Sequence, residues 1–103
     1  MLSRLLHNLP EANKEIFEEL ARLGTVRIER ITTPPQRDPG PVYDQAHDEW
    51  VLVLQGWADL SVTDNVHHLA VGDAIMLPAH VKHQVLRTSP DEPTVWLALH
   101  GDG

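Results

Sequence analysis

The chain has 103 residues, with 15 acids against 8 Lys plus Arg, a formal charge of −7 and no cysteine. That length suits one modest domain with a single hydrophobic core and little apolar surface to spare. The acidic balance, without any basic run, predicts no nucleic-acid partner and no attraction to an anionic membrane. The lack of cysteine excludes disulfides, thiolate metal sites and cysteine nucleophiles.

In chain order, MLSRLLHNLPEANKE is too short and too quickly interrupted for a signal peptide. No segment reaches the roughly 18 apolar residues of a membrane span, so a cytoplasmic protein is expected. A helix is predicted over 10–23. Ile16, Phe17, Leu20 and Leu23 recur at helical spacing, Pro10 suits a first turn, and Gly24 suits the position just past a helix end.

After Gly24 the pattern becomes one of strands and turns. TVRIERIT (25–32) alternates, with Val26 and Ile28 on one face and Arg27 and Glu29 on the other. Four prolines in 33–41 demand a loop. EWVLVLQ (49–55) is apolar on both faces and reads as a central or interface strand, ended by Gly56. Further strands are predicted at 57–63, 66–71, 74–78, 83–88 and 94–100. Seven or eight short strands at close spacing predict an antiparallel sandwich or barrel, with the whole chain (1–103) as one domain.

Two stretches carry a family resemblance. Glu49 is followed by six residues and Gly56; Gly72 is followed by five residues and Pro78, with His83 beyond. Order and gap resemble the two motifs of the cupins, small jelly-roll barrels. Tyr43 and Gln45 stand where that family usually has an H-x-H pair, His80 replaces a glycine, and Arg87 replaces an asparagine. The chain is also similar to small bacterial cupins with a leading helix, a Y-D-Q…D-E-W first motif and a P-A-H-x-x-H second motif. The resemblance implies an all-β, cupin-type jelly-roll barrel over 25–100 with one N-terminal α-helix. It also implies a site built on the motif positions, and no particular activity.

Residues i and i+2 of a strand share a face, so Tyr43 and Gln45 should point together. Glu49 should re-enter on the same inner face, beside Val51 and Val53, with His83 arriving from a neighbouring strand. Gln45, Glu49 and His83 are the candidate metal ligands for Zn, Fe, Mn or Ni. Tyr43, His47 and His80 are candidate ligand-binding groups. The plainer alternative is a Glu49–His83 pair, with Tyr43 and Gln45 donating to the acid, which needs no metal and lowers the pKa of the carboxylate. His47 and His80 can equally be turn residues. Trp50, Leu52 and Leu54 face the other way and require cover, from the helix or from a second subunit, so a homodimer is expected. Three classes of function follow: an enzyme acting on a small polar metabolite, a non-catalytic small-molecule sensor with a degenerate metal site, or a mainly structural role with the dimer surface as the product.

Overall fold

The computed structural model describes residues 2–11 and 13–101. Met1, Asp102 and Gly103 of the expected domain, and Ala12 of the expected helix, lie outside the described residues.

Among the described residues the chain forms antiparallel strands and no helix. The strands are β1 (Ile16–Leu23), β2 (Val26–Thr33), β3 (Val42–Tyr43), β4 (Asp48–Gln55) and β5 (Ala58–Val62). They continue with β6 (Asn65–Leu69), β7 (Ala74–Leu77), β8 (His83–Thr88) and β9 (Thr94–Gly101). One sheet has the order β1-β2-β9-β4-β7, and the other β3-β8-β5-β6. The strands thus make a jelly-roll sandwich of two sheets, not the closed barrel that was expected. No helix is long and apolar enough to cross a membrane among the described residues.

The expected helix over 10–23 is a correction. Residues 16–23 are strand β1, paired with β2 in register from Ile16↔Thr32 to Leu23↔Val26, with a bulge between Glu19 and Ala21. The sequence Ile-Phe-Glu-Glu-Leu-Ala-Arg-Leu satisfies a helical spacing, but eight residues are too few to hold a helix without tertiary support. Pairing with the open edge of β2 supplies a full backbone ladder and decides the outcome. Gly24 does have the positive φ (+61°) that its position suggested, but as part of a two-residue hairpin turn with Thr25.

The register of the five-stranded sheet sorts its inner face into rows. Ile31, Trp96 and Val53 lie side by side on β2, β9 and β4, followed by Glu29, Ala98 and Val51, then Arg27, His100 and Glu49. The first row is wholly apolar and belongs to the buried core, with Leu60, Ala58 and Leu69 from the facing sheet. The third row is wholly polar. The inner face therefore passes from apolar to polar within four residues along each strand.

Gly56 ends β4 for a steric reason. Its φ is +78°, and a Cβ there would stand 2.6 Å from Thr94 Oγ1. A non-glycine residue would have to take a left-handed conformation and displace β9. Outside the sandwich, Arg30 on the outer face of β2 fastens the segment before β1. Its guanidinium bonds Glu18 (2.9 Å) and donates to the carbonyls of Leu5 (3.1 Å) and His7 (3.2 Å).

Candidate functional site

Between the sheets lies a cavity of about 220 Å³. Its walls divide by chemistry. Phe17, Ile31, Val51, Leu60, Leu77, Val85 and Trp96 give an apolar lining, and Glu15, Arg27, Glu29, Tyr43, Gln45, Glu49, His83 and His100 give polar groups. Tyr43, Gln45, Glu49 and His83 are thus brought together as the motif spacing predicts. His47 reaches the cluster from behind His100. His80 is exposed and is not part of the cavity lining; its Nδ1 is 3.2 Å from Asp44 Oδ1, its backbone N–H donates to Gln45 O (2.6 Å), and its φ is +65°.

Glu49 is the centre of the arrangement. It is 6% exposed. Its Oε2 stands 3.7 Å from His100 Nε2 and its Oε1 stands 3.9 Å from His83 Nε2. Both separations are too long for hydrogen bonds. Burial pushes its carboxyl above the usual carboxylate pKa; the nearby imidazoles of His100 and His83 oppose that rise, and the charge of Glu29 adds to it. The direction is opposite to the one expected for a tight Glu49–His83 pair. Tyr43 and Gln45 do not donate to Glu49 either: the phenol donates to Glu15 Oε1 (3.4 Å), and the carboxamide nitrogen is 3.2 Å from His47 Nε2.

His83 is held by its other nitrogen. Nδ1 is 3.2 Å from the carbonyl of Val81, which can only accept, so Nδ1 carries the hydrogen. In the neutral ring, Nε2 then presents a lone pair towards Glu49. Tyr43, directly opposite His83 across β3 and β8, stacks on it with ring centroids 5.6 Å apart.

Four polar site residues escaped the sequence reading: Glu15, Arg27, Glu29 and His100. His100 Nε2 is 3.0 Å from Glu29 Oε1, and its Nδ1 is 2.9 Å from His47 Nε2. Arg27 completes the chain at 3.0 Å from Glu29 Oε2. Burial opposes ionisation of Glu29, but the hydrogen bond and charge of His100, and then Arg27, outweigh it, and its carboxyl lies below the usual range. The signal for His100 was strand parity: it stands two and four residues beyond the buried Ala98 and Trp96. Glu29 carries the same signal two residues before the buried Ile31.

Glu15, also in the cavity lining, accepts from Thr33 Oγ1 (2.6 Å), whose oxygen in turn accepts from Trp96 Nε1 (3.1 Å). This carboxylate also raises the pKa of the Tyr43 phenol, after burial, which is the larger cause. A phenolate ligand at Tyr43 is therefore disfavoured.

The donor set at the motif positions does not fit a resident divalent metal. Tyr43 is held as a neutral phenol, Gln45 is engaged with His47, and Glu49 and His83 remain as two strong ligands. Among the described residues, no group of three or more His, Asp or Glu side chains could together hold a metal ion.

Comparison with known proteins bears on the fold and the family. Residues 29–100 match the sequence model of the family described as the cupin domain. A Ralstonia eutropha protein, provisionally named a mannose-6-phosphate isomerase, is 37% identical, with 100% of this chain and 99% of that one covered at a TM-score of 0.90. A Thermus thermophilus protein is similar at 19% identity, with 97% and 95% covered and a TM-score of 0.82. KdgF from Halomonas sp. is similar at 17% identity, with 92% and 86% covered and a TM-score of 0.75. The last two share the fold alone. No curated protein matches significantly. The two-sheet jelly roll, the motif residues converging on one cavity and the match over 29–100 together establish that this chain belongs to the cupin superfamily.

Proposed function

We propose that the cavity binds a small polar metabolite and that Glu49 exchanges a proton with it, without a resident metal. The observation that carries this reading is the state of Glu49: a buried carboxylate, open to a cavity, with two imidazoles beside it and no hydrogen bond to it from the described residues. A buried carboxylate without partners is costly, and such groups cluster where proton transfer is needed. Raised above its ordinary pKa, Glu49 is a stronger base when ionised and a useful acid when protonated. His100, 3.7 Å from Glu49, is linked at 2.9 Å to the partly exposed His47, so a proton passing that way must first close the gap between Glu49 and His100.

The reaction class this supports is proton transfer on a carbonyl compound, of which isomerisation is one example. The provisional name of the Ralstonia eutropha relative lies in that class. Incubation of the protein in deuterium oxide with a panel of small hydroxy-carbonyl compounds tests it, with NMR detection of deuterium at the α carbon. Exchange lost in Glu49→Gln supports the reading. Exchange that survives in Glu49→Gln removes Glu49 from the role.

A non-catalytic binding module is the second reading, favoured by Tyr43 and Gln45 at the positions where the motif has its histidine pair. Ligand binding without deuterium exchange for any compound of the panel distinguishes it. We also propose that the protein is a cytoplasmic homodimer, with the second copy covering the outer face of the five-stranded sheet. There Trp50 (36% exposed) lies opposite Met76 (49% exposed) on adjacent strands.

A further inference from the structure

The chemistry of the unsatisfied groups in the cavity restricts what can enter it. This inference rests on the cavity being a ligand site and goes on to name the class of ligand. Three carboxylates line the space: Glu15, Glu29 and Glu49. Among the described residues lining it, the one Arg or Lys is Arg27, and its guanidinium is paired with Glu29. In its neutral form His83 presents a lone pair at Nε2, because Nδ1 is committed to Val81 O. With that ring neutral and the carboxylate ionised, Glu49 Oε1 and His83 Nε2 face each other at 3.9 Å as two acceptors, with no donor from the described residues between them. Whatever satisfies them must bring hydrogens. An anionic headgroup would bring more acceptors and more negative charge into a site that already has an excess of both.

Size and lining set the rest of the molecule. A cavity of about 220 Å³ lies below the ~300–1,000 Å³ typical of drug-sized ligands. At about 30 Å³ per water it corresponds to roughly seven waters. The rest of its lining is largely apolar, with Ile31, Leu60 and Trp96 among its groups and the Glu15 carboxylate linked to Trp96 through Thr33.

We infer that the cavity takes a small compound with a compact hydrocarbon body and a donor headgroup seated between Glu49 and His83, either an ammonium that donates to both or a hydroxyl that donates to one of them, and that it rejects phosphorylated and carboxylated compounds. The named reaction of the Ralstonia eutropha relative, on a sugar phosphate, is therefore not carried over to this chain as a substrate.

Three probes that share one hydrocarbon and differ in headgroup test this: isoamylamine, isoamyl alcohol and isovalerate, with mannose 6-phosphate and zinc chloride as further arms. Amide and imidazole NMR shifts of the intact protein are followed in each titration. The amine and the alcohol should shift Glu49 and His83 saturably, the amine roughly tenfold tighter than the alcohol because its hydrogen bonds are charge-assisted. Isovalerate and mannose 6-phosphate should leave those signals in place. In Glu49→Gln the advantage of the amine over the alcohol should vanish while the alcohol still binds. Saturable binding of isovalerate, mannose 6-phosphate or zinc between Glu49 and His83, tighter than that of the amine, overturns the ligand class but leaves the cavity as a binding site. A cavity that none of the probes perturbs overturns both.

Discussion

Glu49 and His100 face each other directly across β4 and β9, yet His100 gives its Nε2 to Glu29 at 3.0 Å and leaves Glu49 Oε2 at 3.7 Å. One imidazole thus stands between two carboxylates and satisfies only one of them. The pKa shifts divide the same way: the Glu29 carboxyl falls below its ordinary value of 4.5, and the Glu49 carboxyl rises above it.

The two acids should accordingly have opposite effects on stability as pH changes. For Glu49 the folded pKa is raised. Its contribution is fully present below pH 4.5 and is lost as pH rises through the folded value, because the unfolded chain ionises first. Glu49→Gln should therefore raise stability at pH 7, by about 1 kcal/mol, and change little at pH 4. Thermal melts of both proteins at the two pH values check this, and a variant less stable at pH 7 would show that Glu49 is satisfied after all.

Glu29 has the depressed pKa, so its contribution is present above pH 4.5 and is lost as pH falls through the folded value. Glu29→Ala leaves Arg27 and His100 without their shared carboxylate inside the sandwich. A loss of about 3 kcal/mol at pH 7 is expected, shrinking in acid. Urea unfolding at pH 7 and pH 4 measures both.

Val53 is 0% exposed and lies beside Trp96 on the apolar row. Val53→Asp places an unpaired carboxylate there and should cost about 4 kcal/mol or abolish folding. An unchanged melting temperature would mean that the parity of β4 is reversed.

At Gly56, an added methyl group meets Thr94 Oγ1 at 2.6 Å and the Thr94 Cα at 3.0 Å, in a left-handed conformation. Gly56→Ala should lose about 2 kcal/mol or more, from backbone strain and the shift of β9 combined. Gly24 also has positive φ, but nothing lies within 4 Å of its added Cβ, so Gly24→Ala should show the conformational part alone. The difference between the two melts isolates the contact.

The proposed homodimer has its own readout. Light scattering should give twice the chain mass, and Trp50→Lys with Met76→Lys should return the protein to a monomer with little change in its circular dichroism. A wild-type monomer at high concentration would refute the proposal.

Much of the sandwich is legible in the sequence. The alternation of β2, the two-sided apolar run of β4 and the turns at Gly56 and Gly72 mark out most strands, but not their order within the sheets. Residues 16–23 are not legible, because Ile16, Phe17, Leu20 and Leu23 satisfy a helical spacing while the strand is chosen by its neighbour β2. The site is half legible. Motif spacing finds Tyr43, Gln45, Glu49 and His83 because each sits at a fixed distance from a turn glycine or proline. It does not find Glu29 and His100, whose importance comes from cross-strand register: His100 is opposite Glu49, yet bonds a residue 71 positions earlier in the chain. Whether Glu49 is paired is also invisible in sequence, since it turns on separations of less than one ångström.

Glu49, Glu29 and His100 project from one sheet, and Tyr43 and His83 from the other. A molecule held by both sets acts as a rivet between two plates. Its occupancy is then coupled to every fluctuation that parts them, so a saturating guest should slow amide hydrogen exchange far from the cavity, along β5 and β9 alike.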